Sequence, residues 1–289
     1  MTMKVAANEG DILGESPNFD ARTGHLYWVD VRRQKLQRLH AMSGQVESWP
    51  MPETIGAVIG RRNGGVVVAL RAGLHGFDPE TATLTRLVTI QQSPPESRLN
   101  DAKCDRAGRI WCGSMFDFGL QTTGALYCIR SDLTVKRVRE AVTIPNAIAF
   151  SPDDRTIYFA DTPSGRIERA SFDVHSGEIG MWTVFAEANV APGKPDGATV
   201  DADGFIWNAR YGGGCLVRFA PDGRVDRTIN LPVSQPTSCA FGGGGLATLF
   251  VTTARQKLSD VQQRAEPLAG AVLALDVGIQ GLAEPTFMG

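Results

Sequence analysis

Residues 196–210 read DGATVDADGFIWNAR, and the reading of this stretch decides the fold. "ATV" alternates like a strand, "DADG" is a turn, and "FIW" opens a second strand. The same phrase recurs along the chain. First strands begin "ESPNFDARTG" (15–24), "IGAVIGRRNG" (55–64), "NDAKCDRAG" (100–108), "NAIAFSPDD" (146–154), "DGATVDADG" (196–204) and "TSCAFGGGG" (237–245). Each runs through its turn into an apolar strand: "HLYWVD", "GVVVAL", "RIWCGS", "TIYFAD", "FIWNAR" and "TLFVTT". A third run, such as "CLVRFAPDG", follows each and ends mostly in Gly, Asp, Ser or Pro.

The first strands start at Glu15, Ile55, Asn100, Asn146, Asp196 and Thr237, so the intervals are 40, 45, 46, 50 and 41 residues. That period, with several strands per unit and almost no helical periodicity, is the signature of propeller blades. The expectation is an all-β, six-bladed β-propeller forming one domain over residues 1–289. The ring is expected to close by sharing the last blade between residues 1–11 and the C-terminal segment. Residues 256–266, "QKLSDVQQRAE", are expected to add one short helix beside the channel mouth.

Composition removes other classes. The chain has 289 residues and a formal net charge of −2, with no basic stripe for nucleic acid and no polybasic patch for a membrane. No apolar run approaches the ~20 residues of a membrane helix, and the N-terminus lacks a signal-peptide core. The five cysteines lack CxxC spacing and sit in apolar runs, which reads as buried thiols of a reducing cytoplasm. A cytoplasmic protein, monomeric or weakly homo-oligomeric, is expected.

In a propeller the first strand of each blade lines the central channel, so residues at equal phase converge at one mouth. Here they are Glu, Ile, Asn, Asn, Asp and Thr. Two carboxylates crowded there would repel unless a cation sat between them. Carboxylate and amide oxygens are hard ligands for Ca²⁺, Mg²⁺ or Mn²⁺, and carboxylates also serve Zn²⁺. The competing reading of Asp196 is a turn residue, since Pro-Asp-Gly is ordinary turn chemistry. There is no GxSxG, no Cys-His pair and no phosphate loop. The four histidines read as turn residues. Trp28, Trp111 and Trp207 read as blade core, and "GGGG" at 242–245 as a flexible turn. Arg210 and Tyr211 are rim candidates.

The motifs "GESP" (14–17), "SRLNDAKCDRAGRIWCGSM" (97–115), "GALY" (124–127), "IPNAIAFSPDDRTIYFADT" (144–162), "KPDGATVDADGFIWNARYGGG" (194–214), "PTSCAFGG" (236–243) and "VTTAR" (251–255) resemble the family of senescence marker protein, regucalcin and bacterial gluconolactonases. The resemblance implies a six-bladed propeller that binds one divalent metal (Ca, Zn, Mn, Mg or Fe) and hydrolyses a small sugar lactone. It implies Glu15, Asn146 and Asp196 as metal ligands and Asp196 as general base. It places Arg98, Asn100 and Asp101 at the substrate, with Asp101 more of a loop support. One departure stands out: where some relatives place a glutamate, the loop "MFDFGLQTTG" (115–124) offers only Asp117, flanked by Phe116 and Phe118. That keeps open a hydrolase of another ester, an aromatic lactone or a phosphotriester. A calcium-binding propeller without activity is the non-enzymatic alternative.

Overall fold

The computed structural model describes residues 2–91 and 94–289; Gln92 and Ser93, within an interval (89–99) expected to be irregular, lie outside them. Six antiparallel sheets are arranged as blades round a channel. Their inner strands are Gly14–Asp20, Ile55–Gly60, Ser97–Cys104, Pro145–Phe150, Lys194–Val200 and Pro236–Gly242. Each blade then runs outward in chain order. The fourth carries two short outer strands, Glu178–Ile179 and Thr183–Ala186, both paired to its third strand. In the sixth, the outermost strand is the N-terminal Thr2–Ala7, antiparallel to Val272–Asp276. A six-bladed β-propeller is the architecture expected from the repeat.

One turn device recurs. Asp201 Oδ1 accepts from the amides of Asp203 and Phe205, both at 3.0 Å, while its Oδ2 accepts from Trp207 Nε1 at 2.9 Å. Asp105 does the same work in the third blade, taking Arg109 N at 3.0 Å and Trp111 Nε1 at 2.8 Å. The acid thus closes the turn and fixes the indole that fills the next interblade space. The first blade departs from this: Tyr27 stands at the matching strand position, and Trp28, one residue on, faces the sixth blade and donates through Nε1 to Asp11 Oδ2 at 2.8 Å. All three indoles are fully buried. Trp207 packs with Leu216, Phe241, Leu249 and Leu273 between the last two blades, so truncation to Ala would cost roughly 3–5 kcal/mol, while Asp201 would keep its two turn amides and Arg218 Nε at 2.8 Å.

The five cysteines are free and buried, as expected. The reading of the histidines needs one correction. His175 lies in an exposed turn, but His75 is buried on the strand Gly73–Asp78, with Nδ1 unpartnered among the described residues. The strand is covered on both faces, with Leu74 in one interblade core and Phe77 in the other, so its position buries His75 regardless of polarity. A capped helix, Asp260–Ala265, falls within residues 256–266.

At the end of the channel away from Asp196, the C-terminal segment crosses between blades. Phe287 is fully buried, its amide donating to Gly60 O at 2.9 Å. Glu284 Oε1 meets Lys103 Nζ at 2.7 Å and accepts from Thr199 Oγ1 at 3.2 Å. The cavity remaining there is about 40 Å³, room for little more than water.

Candidate active site

Every inner strand breaks register where its phase residue sits. The shifts fall between Glu15 and Asn18, Ile55 and Ala57, Leu99 and Ala102, Asn146 and Ala149, Pro195 and Ala198, and Pro236 and Ser238. A bulge re-aims the side chain at the break. Ser16 and Ala147, the residues after Glu15 and Asn146, have φ of 52° and 53°. Such left-handed non-glycine residues cost about 1–3 kcal/mol each and persist only where the surroundings hold them. Gly197 follows Asp196 for a different reason: a Cβ there would overlap the Ser238 side chain of the next blade.

Four of the six phase residues, Glu15, Asn100, Asn146 and Asp196, line one cavity of about 300 Å³. That is the lower end of ligand-pocket volumes. Ile55 is fully buried in core, and Thr237 is withdrawn, its hydroxyl donating to Gly14 O and paired with Thr252 Oγ1. The second strands supply an outer tier. Asp117, Thr162 and Tyr211 stand at or just beyond the ends of Ile110–Phe116, Thr156–Asp161 and Ile206–Tyr211, and Arg32 and Gln256 follow slightly later in blades one and six. Sequence reasoning missed Arg32, Thr162 and Gln256. The common end of the second strands is the signal that would have found them.

A continuous hydrogen-bonded chain runs round the mouth. Arg98 Nε donates to Asp117 Oδ1 at 2.6 Å, and Arg98 Nη1 to Asn100 Oδ1 at 2.6 Å. Asn100 Nδ2 donates to Asn146 Oδ1 at 3.1 Å, Asn146 Nδ2 to Thr162 Oγ1 at 2.8 Å, and Thr162 Oγ1 to Pro195 O at 2.8 Å. The chain crosses three blades and stops one residue before Asp196. Asp196 itself is anchored from below, where Asn208 Nδ2 donates to its carbonyl oxygen at 2.8 Å.

Asp101 is not brought to the cavity wall. Its Oδ2 accepts from Ile148 N at 3.0 Å, fastening the third inner strand to the fourth, and it is not among the residues that line the cavity. Arg98 does reach the cavity, but most of its donors are occupied by Asp117, Asn100 and Leu99 O. Tyr211 lines the cavity, and its hydroxyl accepts from Gln256 Nε2 at 3.2 Å. Arg210 turns into protein, donating through Nε to Pro192 O at 3.0 Å. In the 115–124 loop it is Met115, Asp117, Gly119 and Leu120 that face the cavity; Phe116 and Phe118 are not among its lining residues.

The charges divide into two levels. Burial pushes the Glu15 carboxyl up to about 8, with the Asp101 charge adding to it and Arg98 opposing. Burial raises Asp196 well above the carboxylate range, reinforced by Glu15 and Asp101. At the upper level burial also works against Asp117, but the Arg98 and Arg32 guanidiniums outweigh it and hold Asp117 below the usual range. Arg32 Nη1 meets both Asp117 oxygens, at 2.9 and 3.0 Å.

This floor fits a divalent cation. Among the described residues, neither Glu15 nor Asp196 has a salt-bridge partner, and an added positive charge would relieve both. Asn146 gives its NH₂ to Thr162 and presents Oδ1, held by Asn100, on the same cavity. The described residues contain no group of three His, Cys, Asp or Glu side chains suited to a metal. The set is two carboxylates and an amide, all oxygen, which suits a hard ion.

Comparison with known proteins agrees with the architecture. The family described as SMP-30/Gluconolactonase/LRE-like region matches residues 13–255. A 6-deoxy-6-sulfogluconolactonase of Pseudomonas putida is 35% identical over 289 residues, covering 100% of this chain and 99% of the relative. An L-arabinolactonase of Azospirillum brasilense is 35% identical over 290 residues, covering 99% and 95%. The crystal structure of a calcium-binding protein, regucalcin, from Agrobacterium tumefaciens superposes with a TM-score of 0.96 at 31% identity, covering 100% of this chain and 98% of that one.

Proposed function

The chain belongs to the SMP-30/gluconolactonase/LRE-like family, and from this we propose that it is a lactonase opening the ring of a sugar-acid lactone to the free acid, with one divalent metal ion held by Glu15, Asn146 and Asp196. The observation that carries the reading is a pair of carboxylates, half-buried Glu15 and buried Asp196, with no salt-bridge partner among the described residues, on the floor of a cavity walled by Arg98 and Asn100.

The reaction is acyl transfer to water. A new C–O bond forms at the lactone carbonyl, the ring C–O bond breaks, and one proton must travel from water to the departing ring oxygen. A divalent ion on the floor would supply Lewis-acid stabilisation of the charge that develops on the carbonyl oxygen. Asp196 is the proton carrier: it takes the proton from the attacking water and returns it to the ring oxygen. The Asn208 bond to its main chain keeps the carboxyl aimed into the cavity. The free edge of Arg98 donates to substrate oxygens, and Asn100 Oδ1, whose amide hydrogens are spent on Pro145 O and Asn146 Oδ1, accepts from a substrate hydroxyl. The walls supplied by Leu13, Met115, Leu120 and Ile144 limit water around the ring.

The relatives' names span a sulfonated and an unsubstituted sugar lactone. The test is hydrolysis of a panel of aldonolactones by the untreated protein, after exhaustive chelation, and after return of Ca²⁺, Zn²⁺, Mn²⁺, Mg²⁺ or Fe²⁺. Activity lost on chelation and restored by one ion supports the reading. Undiminished hydrolysis by protein shown to be metal-free would remove the metal, and no hydrolysis of any lactone would remove the reading. No helix among the described residues is long and apolar enough to cross a membrane.

A further inference from the structure

The cavity floor and its rim carry opposite charge. On the floor are Glu15 and Asp196; above them, Arg98, Arg32 and Lys257 face the same cavity, with Asp117 as the only rim carboxylate among the described residues. Asp117 accepts from both guanidiniums and so balances one of them. The second guanidinium and the ammonium are left over. Lys257 is exposed and has no ion pair or hydrogen bond among the described residues, and the Arg32 side chain keeps 32% of its surface. Arg98, by contrast, is only 3% exposed, so its charge was desolvated at a cost that only polar partners offset.

A neutral sugar lactone needs no such excess. Its hydroxyls and ring oxygens are served by uncharged groups, and the cavity already has Tyr211 and Gln256 to donate and Asn100 and Thr162 oxygens to accept. Cations placed above the floor carboxylates match instead a substrate with a negative group at the end remote from its ester. Arg32, with Nη1 on Asp117 and Nε on Gln256 Oε1, keeps Nη2 to donate to carboxylate, sulfonate or phosphate oxygens, and Lys257 adds a point charge on a flexible stem.

Building on the lactonase reading above, we propose that the preferred substrate is a sugar lactone bearing a second, anionic group distal to the lactone ester, bound at the rim by Arg32 and Lys257. The ester lies on the floor beside Asp196 while the anion sits between Arg32, Lys257 and the Gln256 amide. Arg32 and Lys257 are specificity residues, remote from the bond that breaks.

The experiment compares kcat/KM for a neutral glucono-lactone with lactones carrying a carboxylate, a sulfonate or a phosphate at carbon 6. It uses the wild-type protein and the Arg32→Gln, Arg32→Lys and Lys257→Glu variants at low and moderate salt. The expected result is a preference for at least one anionic lactone of roughly tenfold, expressed mainly in KM and shrinking as salt screens it. Lys257→Glu and Arg32→Gln should each cut the anionic-to-neutral ratio by roughly three- to tenfold. Arg32→Lys should keep more of that ratio than Arg32→Gln, because the charge survives. The arms separate the three anions from one another. A wild-type ratio near one, with the neutral lactone well hydrolysed, overturns the proposal and leaves the lactonase intact. A ratio that none of the variants moves also overturns it. A protein inert on every lactone instead removes the lactonase reading, and this inference with it.

Discussion

Asn100 Nδ2 lies 3.1 Å from Asn146 Oδ1, and this bond ties the inner strands of the third and fourth blades together at the channel mouth. The same Nδ2 also donates to Pro145 O at 2.9 Å, so both of its hydrogens face the fourth blade. Asn100 therefore does two things. It faces the cavity, and it sets which end of the Asn146 amide the floor receives.

A first prediction follows from that pairing. Asn100→Ala frees the Asn146 amide to turn, and removing a partner that orients a metal ligand typically costs 10- to 100-fold in metal affinity. Calorimetric titration of the chelated variant with a divalent ion should show that loss, alongside a larger loss of lactone hydrolysis. Wild-type affinity in Asn100→Ala would mean that Asn146 is held well enough by Thr162 alone.

Asp117→Asn should be costly for stability. It leaves the Arg98 guanidinium buried without its carboxylate, and unpairing a buried charge typically costs ~3–5 kcal/mol. Arg32 loses its partner too, but that half of the interaction is part-exposed and adds little. Equilibrium urea unfolding should show a shift of roughly 3 kcal/mol in a folded variant. A shift under about 1 kcal/mol would mean that Arg98 finds another acceptor.

The periodic part of this molecule was open to reading before any coordinates. Phase alone picked out Glu15, Asn100, Asn146 and Asp196, because equal positions in equal units must converge on a ring axis. It also picked out Ile55 and Thr237, which do not reach the cavity, since phase fixes where a backbone lies and not whether its side chain finds a closer partner. Thr237 found Gly14 O. The second tier was hidden for a related reason. Arg32, Thr162 and Gln256 stand at slightly different distances past the ends of their strands, where loop length varies from blade to blade. The 115–124 loop misled through its phenylalanines: the backbone turns Asp117 inward to two arginines and leaves Phe118 at 69% exposure.

Stability of the metal-free protein should depend on pH in a definite sense. The Glu15 carboxyl stands at about 8 in the fold against an ordinary 4.5, and Asp196 is raised too. The folded state therefore binds more protons than the unfolded state between those values, and stability falls as pH rises. The stabilisation is fully present below the ordinary value and is lost as pH passes through about 8. Divalent ions require both carboxylates ionised, so their affinity should climb over the same window. Thermal melts of chelated protein should thus decline from about pH 5 to about pH 9, and saturating metal should flatten the decline. A chelated protein whose melting rises with pH across that window would reverse the assignment of these groups.

The last prediction concerns Asp196. If it were a turn residue, Asp196→Asn would keep its shape and much of its bonding, with near-normal activity and a stability change of roughly 1 kcal/mol or less. Its position argues otherwise. Its carboxyl opens on the cavity with Glu15 and Asn146, and Asn208 fixes the residue from below through main-chain bonds to Asp196 O and Gly197 O. Those bonds survive the substitution, and so should the bulge and the fold. What disappears is the second floor charge and the group that takes a proton from water. General-base removal alone typically costs on the order of 10²–10⁴ in rate, and a weaker metal site adds to it. Relief of the repulsion with Glu15 should even raise the melting temperature of the metal-free protein slightly. The expected variant is folded, binds metal weakly and turns over at least about a hundredfold more slowly. Circular dichroism, metal content and lactone hydrolysis measured on one preparation decide it. A folded Asp196→Asn protein retaining more than about half its activity would return Asp196 to the turn, because no general base is that dispensable.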